Sequence, residues 1–242
     1  MSDAVALEAA GLVREFGALR AVDGIGFRLA PGEQLTVFGP NGAGKSTLLA
    51  LLAGSLRPDA GEVRWQGNPR VHGDLDWFRL VGVLSHQGFL YGHLTAAENL
   101  RFHADLHLLS SVDERVGEAL RSVGLEARAG DRVRTFSRGM KQRLALARTL
   151  LHEPPVVLLD EPYTGLDAHA AALLRGVLAS LRDGQRTVVL VTHNLTQGLE
   201  QADRVAIQVR GRFVVSAPRS EVPMEGFEGF YRDVVEGAEA RG

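Results

Sequence analysis

The chain has 242 residues, with 27 Lys plus Arg against 29 Asp plus Glu, a formal net charge of −2, and 45% hydrophobic residues. That length and apolar content fit one α/β domain, or one core with an inserted subdomain, and the near-neutral charge argues against broad nucleic-acid binding, so no nucleic-acid partner is expected. The lack of cysteine excludes disulfides, thiolate metal sites and cysteine catalysis, and suits a cytosolic protein.

Residues 5–30 read as short strands joined by turns at Gly17, Gly24 and Gly26. Glu33–Phe38 alternates and runs into a glycine-rich loop, after which Ser46–Leu56, rich in Leu and Ala, reads as a buried helix. Gly61–Trp65 and Val81–Ser85 are of strand length. From Thr95 to Leu151 the pattern turns helical. Thr95 and Glu98 make a capping-box pattern, Asp113–Val123 is amphipathic with Gly124 suited to its end, and Ser137 opens a third helix that runs through Arg143 and Arg148. Val156–Asp160 is a continuous apolar run ending in acid, the pattern of a parallel strand buried on both faces. Asp167–Leu181 reads as a helix, Thr187–Thr192 as another buried strand, and Val205–Gln208 and Phe213–Val215 flank Gly211 as a hairpin.

After Pro218 the spacing of Phe227, Phe230, Tyr231 and Val234 predicts a short amphipathic helix. Its apolar face suits packing on its own domain; a partner or membrane-surface contact is the weaker use, because the tail is acidic. Strands alternating with helices predict an α/β domain with a mostly parallel sheet. No basic-then-apolar signal pattern opens the chain, and no apolar run approaches the roughly 20 residues of a membrane span. Any transport role therefore needs a partner that spans the membrane.

The run Gly39-Pro40-Asn41-Gly42-Ala43-Gly44-Lys45-Ser46-Thr47 matches G-x-x-x-x-G-K-[ST] between a predicted strand and a predicted helix. Glycines let successive backbone N–H groups curve around phosphate oxygens, and the helix N-terminus adds partial positive charge. Lys45 is expected to reach the β- and γ-phosphates of ATP, and Ser46 to ligate Mg²⁺. An ordinary glycine turn gives the Lys-Ser pair no role. Downstream, Val156–Asp160 ends in the adjacent acids Asp160 and Glu161. Asp160 is expected to hold Mg²⁺ through water, and Glu161, at the strand end, to orient and deprotonate the attacking water. Alone, such a pair is as often a solvated turn; the upstream loop makes the catalytic reading the better one.

With five further motifs, the chain resembles the nucleotide-binding domain of ABC ATPases over nearly its whole length, from about Leu7 to Val215. Phe16 stands where the family stacks an aromatic on adenine; a core Phe of the early strands is the alternative. Gln87 matches the glutamine that senses Mg²⁺ and the attacking water. Phe136-Ser137-Arg138-Gly139-Met140 matches the family signature, with Arg138 and Met140 departing from the common Leu-Ser-Gly-Gly-Gln. The resemblance implies that Ser137 and the Gly139 N–H bind the γ-phosphate held by another protomer. Thr164-Gly165-Leu166-Asp167 matches the segment that crosses the dimer interface, and His193, in Val191-Thr192-His193-Asn194, the residue that contacts the γ-phosphate.

The resemblance implies a P-loop NTPase (RecA-like) core with an N-terminal antiparallel β subdomain and an inserted helical subdomain over about 88–151. The ATPase domain would span 1–218, and a helical tail 219–242. It implies a homodimer or heterodimer around two ATP, docked on integral membrane permease subunits at the cytoplasmic face of the membrane. The Gln87 loop and helical stretch would receive the membrane subunit, with Phe89, Leu90 and Tyr91 either lining that groove or packing within the helical stretch. The wording Leu84-Ser85-His86-Gln87, Leu94–Phe102 and Phe136–Met140 is similar to the ATPase subunit of the cytochrome c maturation haem exporter. A soluble ABC ATPase of the iron–sulfur cluster assembly type is the competing reading; the stretch from Lys45 to Ser137 is too short for the coiled coil of the repair and chromosome types.

Overall fold

The computed structural model describes residues 5–71, 73–85, 88–164, 166, 168–181 and 184–240. Strands β1 (Leu7–Phe16) and β2 (Leu19–Leu29) form a long antiparallel hairpin around Gly17. Strand β3 (Gln34–Phe38) follows, buried at every residue. Residues 39–44 then lead into helix α1 (Lys45–Ala53), which ends where Gly54 turns left-handed at φ 80°. That glycine stops the helix short of the expected Leu56, because a residue with a Cβ is strained there.

Strands β4 (Ala60–Trp65) and β5 (Asn68–Pro69) return beside β1, giving a four-stranded antiparallel sheet in the order β2-β1-β4-β5. A six-residue helix, α2 (Leu75–Leu80), precedes β6 (Val81–Leu84). The sequence reading has no α2; it is held by the Asp74 cap and by Trp77, whose Nε1 donates to the Leu52 carbonyl at 3.1 Å.

The helical stretch holds α3 (Ala96–Leu106), α4 (Val112–Ser122) and α5 (Arg138–Leu150). The expected capping box is formed: the Thr95 Oγ1 accepts from the Glu98 N–H, and Glu98 accepts from the Thr95 N–H. Gly124, at φ 65°, follows the end of α4. These helices bury a core of their own around Leu100, Leu120, Phe136 and Leu144.

Strand β7 (Val156–Asp160), helix α6 (Ala168–Ser180) and strand β8 (Thr187–Val191) come next, and both strands are buried at every residue. Apolar runs are continuous there because both faces of the central strands are covered. Helix α7 (Leu195–Gln201), also unexpected, starts at Asn194, whose side chain accepts from the Gln197 N–H. Strands β9 (Arg204–Val209) and β10 (Arg212–Pro218) form the hairpin around Gly211. Helix α8 (Phe227–Glu239) closes the described chain, with Phe227 buried against Phe38 and Phe230, Tyr231 and Val234 packed on the same cluster.

The larger sheet runs β10-β9-β3-β8-β7-β6, parallel throughout except for β10. Strand β8 therefore lies between the strand that precedes the phosphate loop and the strand that ends in the two acids. Helix α1 packs against the sheet through Leu48, Leu51 and Leu52, all essentially unexposed. Each such Leu contributes about 1.5–3 kcal/mol of burial. The α/β class and mostly parallel sheet expected from the sequence are what the chain adopts. The C-terminal ends of β3, β7 and β8 and the start of α1 meet at one end of the sheet, where the site is built.

Candidate functional site

Residues 39–44 connect β3 to α1 with two glycines that nothing else can replace. A Cβ on Gly44, at φ 98°, would lie 1.8 Å from the Ala21 carbonyl oxygen; one on Gly39 would lie 2.2 Å from the Gln208 carbonyl oxygen. The loop is thus pressed against β2 on one side and β9 on the other, which fixes its backbone. No side chain caps the start of α1, so its first N–H groups remain available to an anion.

Lys45 is nearly buried, and its Nζ donates to the carbonyls of Gly39 at 2.7 Å and Pro40 at 2.8 Å. Burial holds its pKa below the usual lysine value, opposed by the charges of Glu161 and Asp160. Phe16, half exposed at the end of β1, shares a cleft of 370 Å³ with Asn41, Gly42, Ala43, Gly44, Lys45, Ser46, Thr47, Asp160 and Glu161. The Arg14 guanidinium lies 4.9 Å from the Phe16 ring centre.

Asp160 is the last residue of β7, and the Ser46 hydroxyl donates to its Oδ2 at 3.0 Å. Two oxygen ligands are thereby side by side at a helix start, a donor set suited to a hard cation such as Mg²⁺ that keeps water in its remaining positions. Glu161 sits just beyond β7 with φ 49°, a left-handed backbone that costs a residue with a side chain about 1–3 kcal/mol. Its N–H donates to the Val191 carbonyl at 2.9 Å. Its Oε2 lies 2.8 Å from His193 Nδ1 and accepts from the Thr192 hydroxyl at 3.2 Å. The pairing of β7 with β8, in register at Asp160 and Val191, is what brings Glu161 and His193 together. The sequence reading assigns Thr192 no role of its own; a buried hydroxyl directly after β8 is the signal for one.

Ser137 caps α5 and accepts from the Met140 N–H at 3.2 Å. Arg138 and Gly139 are the first two residues of α5; Arg138 is exposed and Gly139 is partly buried. Ser137 and Gly139 do not line the Lys45 cleft of their own chain. A second cleft, of 510 Å³, lies between the two halves and is lined by Asn41, Arg138, Lys141, Gln142, Glu161 and His193. Gln87, Asp167, His86 and Gly165 lie outside the described residues.

Beside the Gln87 segment, Phe89 and Tyr91 are each 52% exposed, and Tyr91 meets Phe102 edge-on at 5.2 Å. Leu90 instead packs partly buried inside the helical half. Beneath this patch His107 stacks on His152 at 3.9 Å. Burial, aided by the Arg148 charge, pushes His103 down to about 4, and burial pushes His152 down to about 3, with the His107 and Arg148 charges adding to it.

The family model for ABC transporter matches residues 22–164. The Fe(3+) ions import ATP-binding protein FbpC 2 of Rhodococcus jostii (strain RHA1) is 38% identical over 221 residues, covering 88% of this chain and 63% of that one. The Nod factor export ATP-binding protein I of Rhizobium sp. (strain N33) is 36% identical over 86% of this chain and 69% of its own length. The chain spans somewhat less than two thirds of the iron and sulfate import relatives it matches. Among solved structures, an ATP binding subunit of an ABC transporter superposes with a TM-score of 0.86 at 28% identity, over 95% of this chain and 99% of that one. The ATP-binding cassette MJ0796, dimeric in a post-hydrolysis state bound to ADP and Pi, gives a TM-score of 0.80 at 26% identity over 88% and 98%.

Proposed function

The chain belongs to the ABC transporter family, and from that premise we propose that it is the ATP-binding and ATP-hydrolysing subunit of a membrane transporter. The observation that carries the reading is the convergence, in one cleft, of the Lys45 loop, the Ser46–Asp160 pair, Glu161 and the half-exposed Phe16, with His193 held against Glu161 from the neighbouring cleft.

In this function the loop amides and Lys45 meet the charge that spreads over the transferring phosphoryl group. Ser46 and Asp160 would hold Mg²⁺, with Gln87 beside it; the bound ion supplies positive charge to the phosphate oxygens. Glu161 takes a proton from the attacking water, and His193, in contact with the same carboxylate, fixes its direction toward the γ-phosphate. Phe16 offers its exposed ring to the adenine. Ser137, Arg138, Gly139 and Met140 of one protomer close over the ATP of the other, with Asp167 assigned to the same junction by its motif, so the working unit is a dimer around two ATP.

No helix of the described residues is long and apolar enough to cross a membrane. In the proposed function the spanning part is a separate permease, which the chain meets at the cytoplasmic face. The exposed aromatic patch of Phe89, Tyr91 and Phe102 beside the Gln87 segment supports docking there. Relatives named for iron import and for Nod factor export stand on both sides of the import–export question. The finer reading is haem export for cytochrome c maturation, supported by the wording around Leu84 and Phe136. The cluster-assembly alternative draws no support from the relatives named above.

The test is purification of the chain from its native membranes in mild detergent, with the bound proteins identified and Mg-ATP hydrolysis measured on the complex. Polytopic membrane proteins and hydrolysis are the expected outcome, and haem-stimulated hydrolysis is expected if the cargo reading holds. Recovery with soluble partners alone would overturn the transporter reading.

A further inference from the structure

Glu161 holds an unfavourable left-handed backbone at the point where the chemistry needs a carboxylate at a fixed angle. Three of the groups that restrain it come from β8 and the residues after it: the Val191 carbonyl, the Thr192 hydroxyl and the His193 ring. The next peptide is restrained from elsewhere. Gln142 Nε2 donates to the Pro162 carbonyl at 3.1 Å, in a partly buried contact. Proline has no N–H, so this carbonyl is the only backbone hydrogen-bonding group that residue 162 offers. Thr164 N–H then closes the turn onto the Glu161 carbonyl at 3.1 Å.

Gln142 lies one turn into α5, the helix that Ser137 caps, and it faces the 510 Å³ cleft together with Glu161 and His193. The same end of α5 also lies close to Leu166. A Cβ placed on Gly139 would sit 3.6 Å from the Leu166 side chain, an ordinary van der Waals contact. The helix that presents Ser137 and Gly139 is therefore tied, through one side-chain donor, to the residue immediately after its own chain's Glu161.

We infer that Gln142 is a positioning residue for Glu161, holding the 161–162 backbone from the first turns of α5. Resting on the function proposed above, it makes the angle of one protomer's base follow the position of the helix that closes over the other protomer's ATP. The donor is what matters. An isosteric side chain with no N–H loses the tie, and a side chain with a donor of similar reach keeps it.

The full-length chain is assayed for Mg-ATP binding with a fluorescent ATP analogue, for steady-state hydrolysis, and for thermal midpoint. Gln142→Met and Gln142→Glu are expected to lower kcat about tenfold, the effect of about 1.4 kcal/mol on a barrier, with KM and thermal midpoint near those of the parent. Gln142→Lys, which restores a donor, is expected to recover most of the loss. Unchanged kcat in Gln142→Met, a fall in kcat that tracks a fall in thermal midpoint, or no recovery in Gln142→Lys would overturn the positioning role. A parent chain that neither binds nor hydrolyses Mg-ATP would instead overturn the proposed function, a result the binding assay separates from the first.

Discussion

In the segment from Gly39 to Thr47 recognition belongs to the backbone, whereas in the half built from α3, α4 and α5 it belongs to side chains. The loop between β3 and α1 is shaped by two missing Cβ atoms, pressed against the Ala21 and Gln208 carbonyls, and its one charged side chain is folded onto its own carbonyls. The helical half exposes Phe89, Tyr91 and Phe102 over histidines that burial keeps neutral. The first arrangement tolerates almost no change in residue type. The second tolerates many, provided shape and neutrality survive. That is the pattern expected where one region must hold an invariant phosphate and the other must fit a partner that differs between systems.

The sharpest way to break this comparison is at the chemistry itself. Glu161→Gln is expected to reduce turnover by roughly 10²–10⁴, the range for removal of a general base, while Mg-ATP binding persists and a nucleotide-bound dimer accumulates on gel filtration. Turnover near the parent rate would move the base elsewhere. Gly44→Ala comes next: the 1.8 Å approach to Ala21 and the φ of 98° leave no relaxed position for the methyl group. ATP binding should be lost, and the thermal midpoint should fall by several degrees, the scale set by roughly 1–3 kcal/mol of backbone strain.

Phe16→Ala sharpens the comparison at the cleft's outer wall. Loss of a stacking face is worth about 1–3 kcal/mol per base, so KM for ATP should rise about tenfold with kcat little changed, as steady-state kinetics would show. In the helical half the expected effect is on pH dependence. Burial depresses His103 to about 4 and His152 to about 3 from 6.5, so the unfolded chain binds more protons than the folded one between those values. Stability should therefore be full above about pH 6.5 and decline as the pH falls toward 4. Thermal midpoints measured from pH 7.5 to 4.5 should show that slope, and His152→Gln should flatten it. The smallest effect is expected at the exposed pair Arg121–Glu126, 3.1 Å apart on the rim of the same half. Arg121→Ala should leave hydrolysis unchanged and shift the midpoint by no more than about 1 °C, since exposed pairs contribute little.

The difference between the two regions also governs what the sequence discloses. The phosphate loop is legible because each requirement there selects a residue type: glycines where a Cβ collides, Lys and Ser where phosphate and cation are met. Val156–Asp160 and Thr187–Val191 are legible because strands covered on both faces are mostly apolar, with polar residues at their ends. The capping box at Thr95 is legible for the same reason, since two backbone N–H groups need two particular side chains. Helices α2 and α7 are too short for a period to register, and each depends on one capping residue, Asp74 or Asn194, that also suits a loop. The contacts of Thr192 and Gln142 with the Glu161 segment are long-range pairings, invisible until β7, β8 and α5 are in place. The stacked His107 and His152 lie far apart in the chain, and nothing local marks them as neighbours.

The position of β8 has a consequence for biosynthesis. As the chain emerges from its N-terminus, the strand before the phosphate loop and the strand before the two acids appear first. The strand that must be threaded between them appears after both. Until it arrives, Glu161 has neither the Val191 carbonyl nor Thr192 nor His193 to hold it. Strand β9, whose Gln208 carbonyl presses on Gly39, appears later still, so a half-made chain has neither a fixed phosphate loop nor a held Glu161. Non-local pairing of this kind is slow to form, so the loop and the base are completed together, late in the chain.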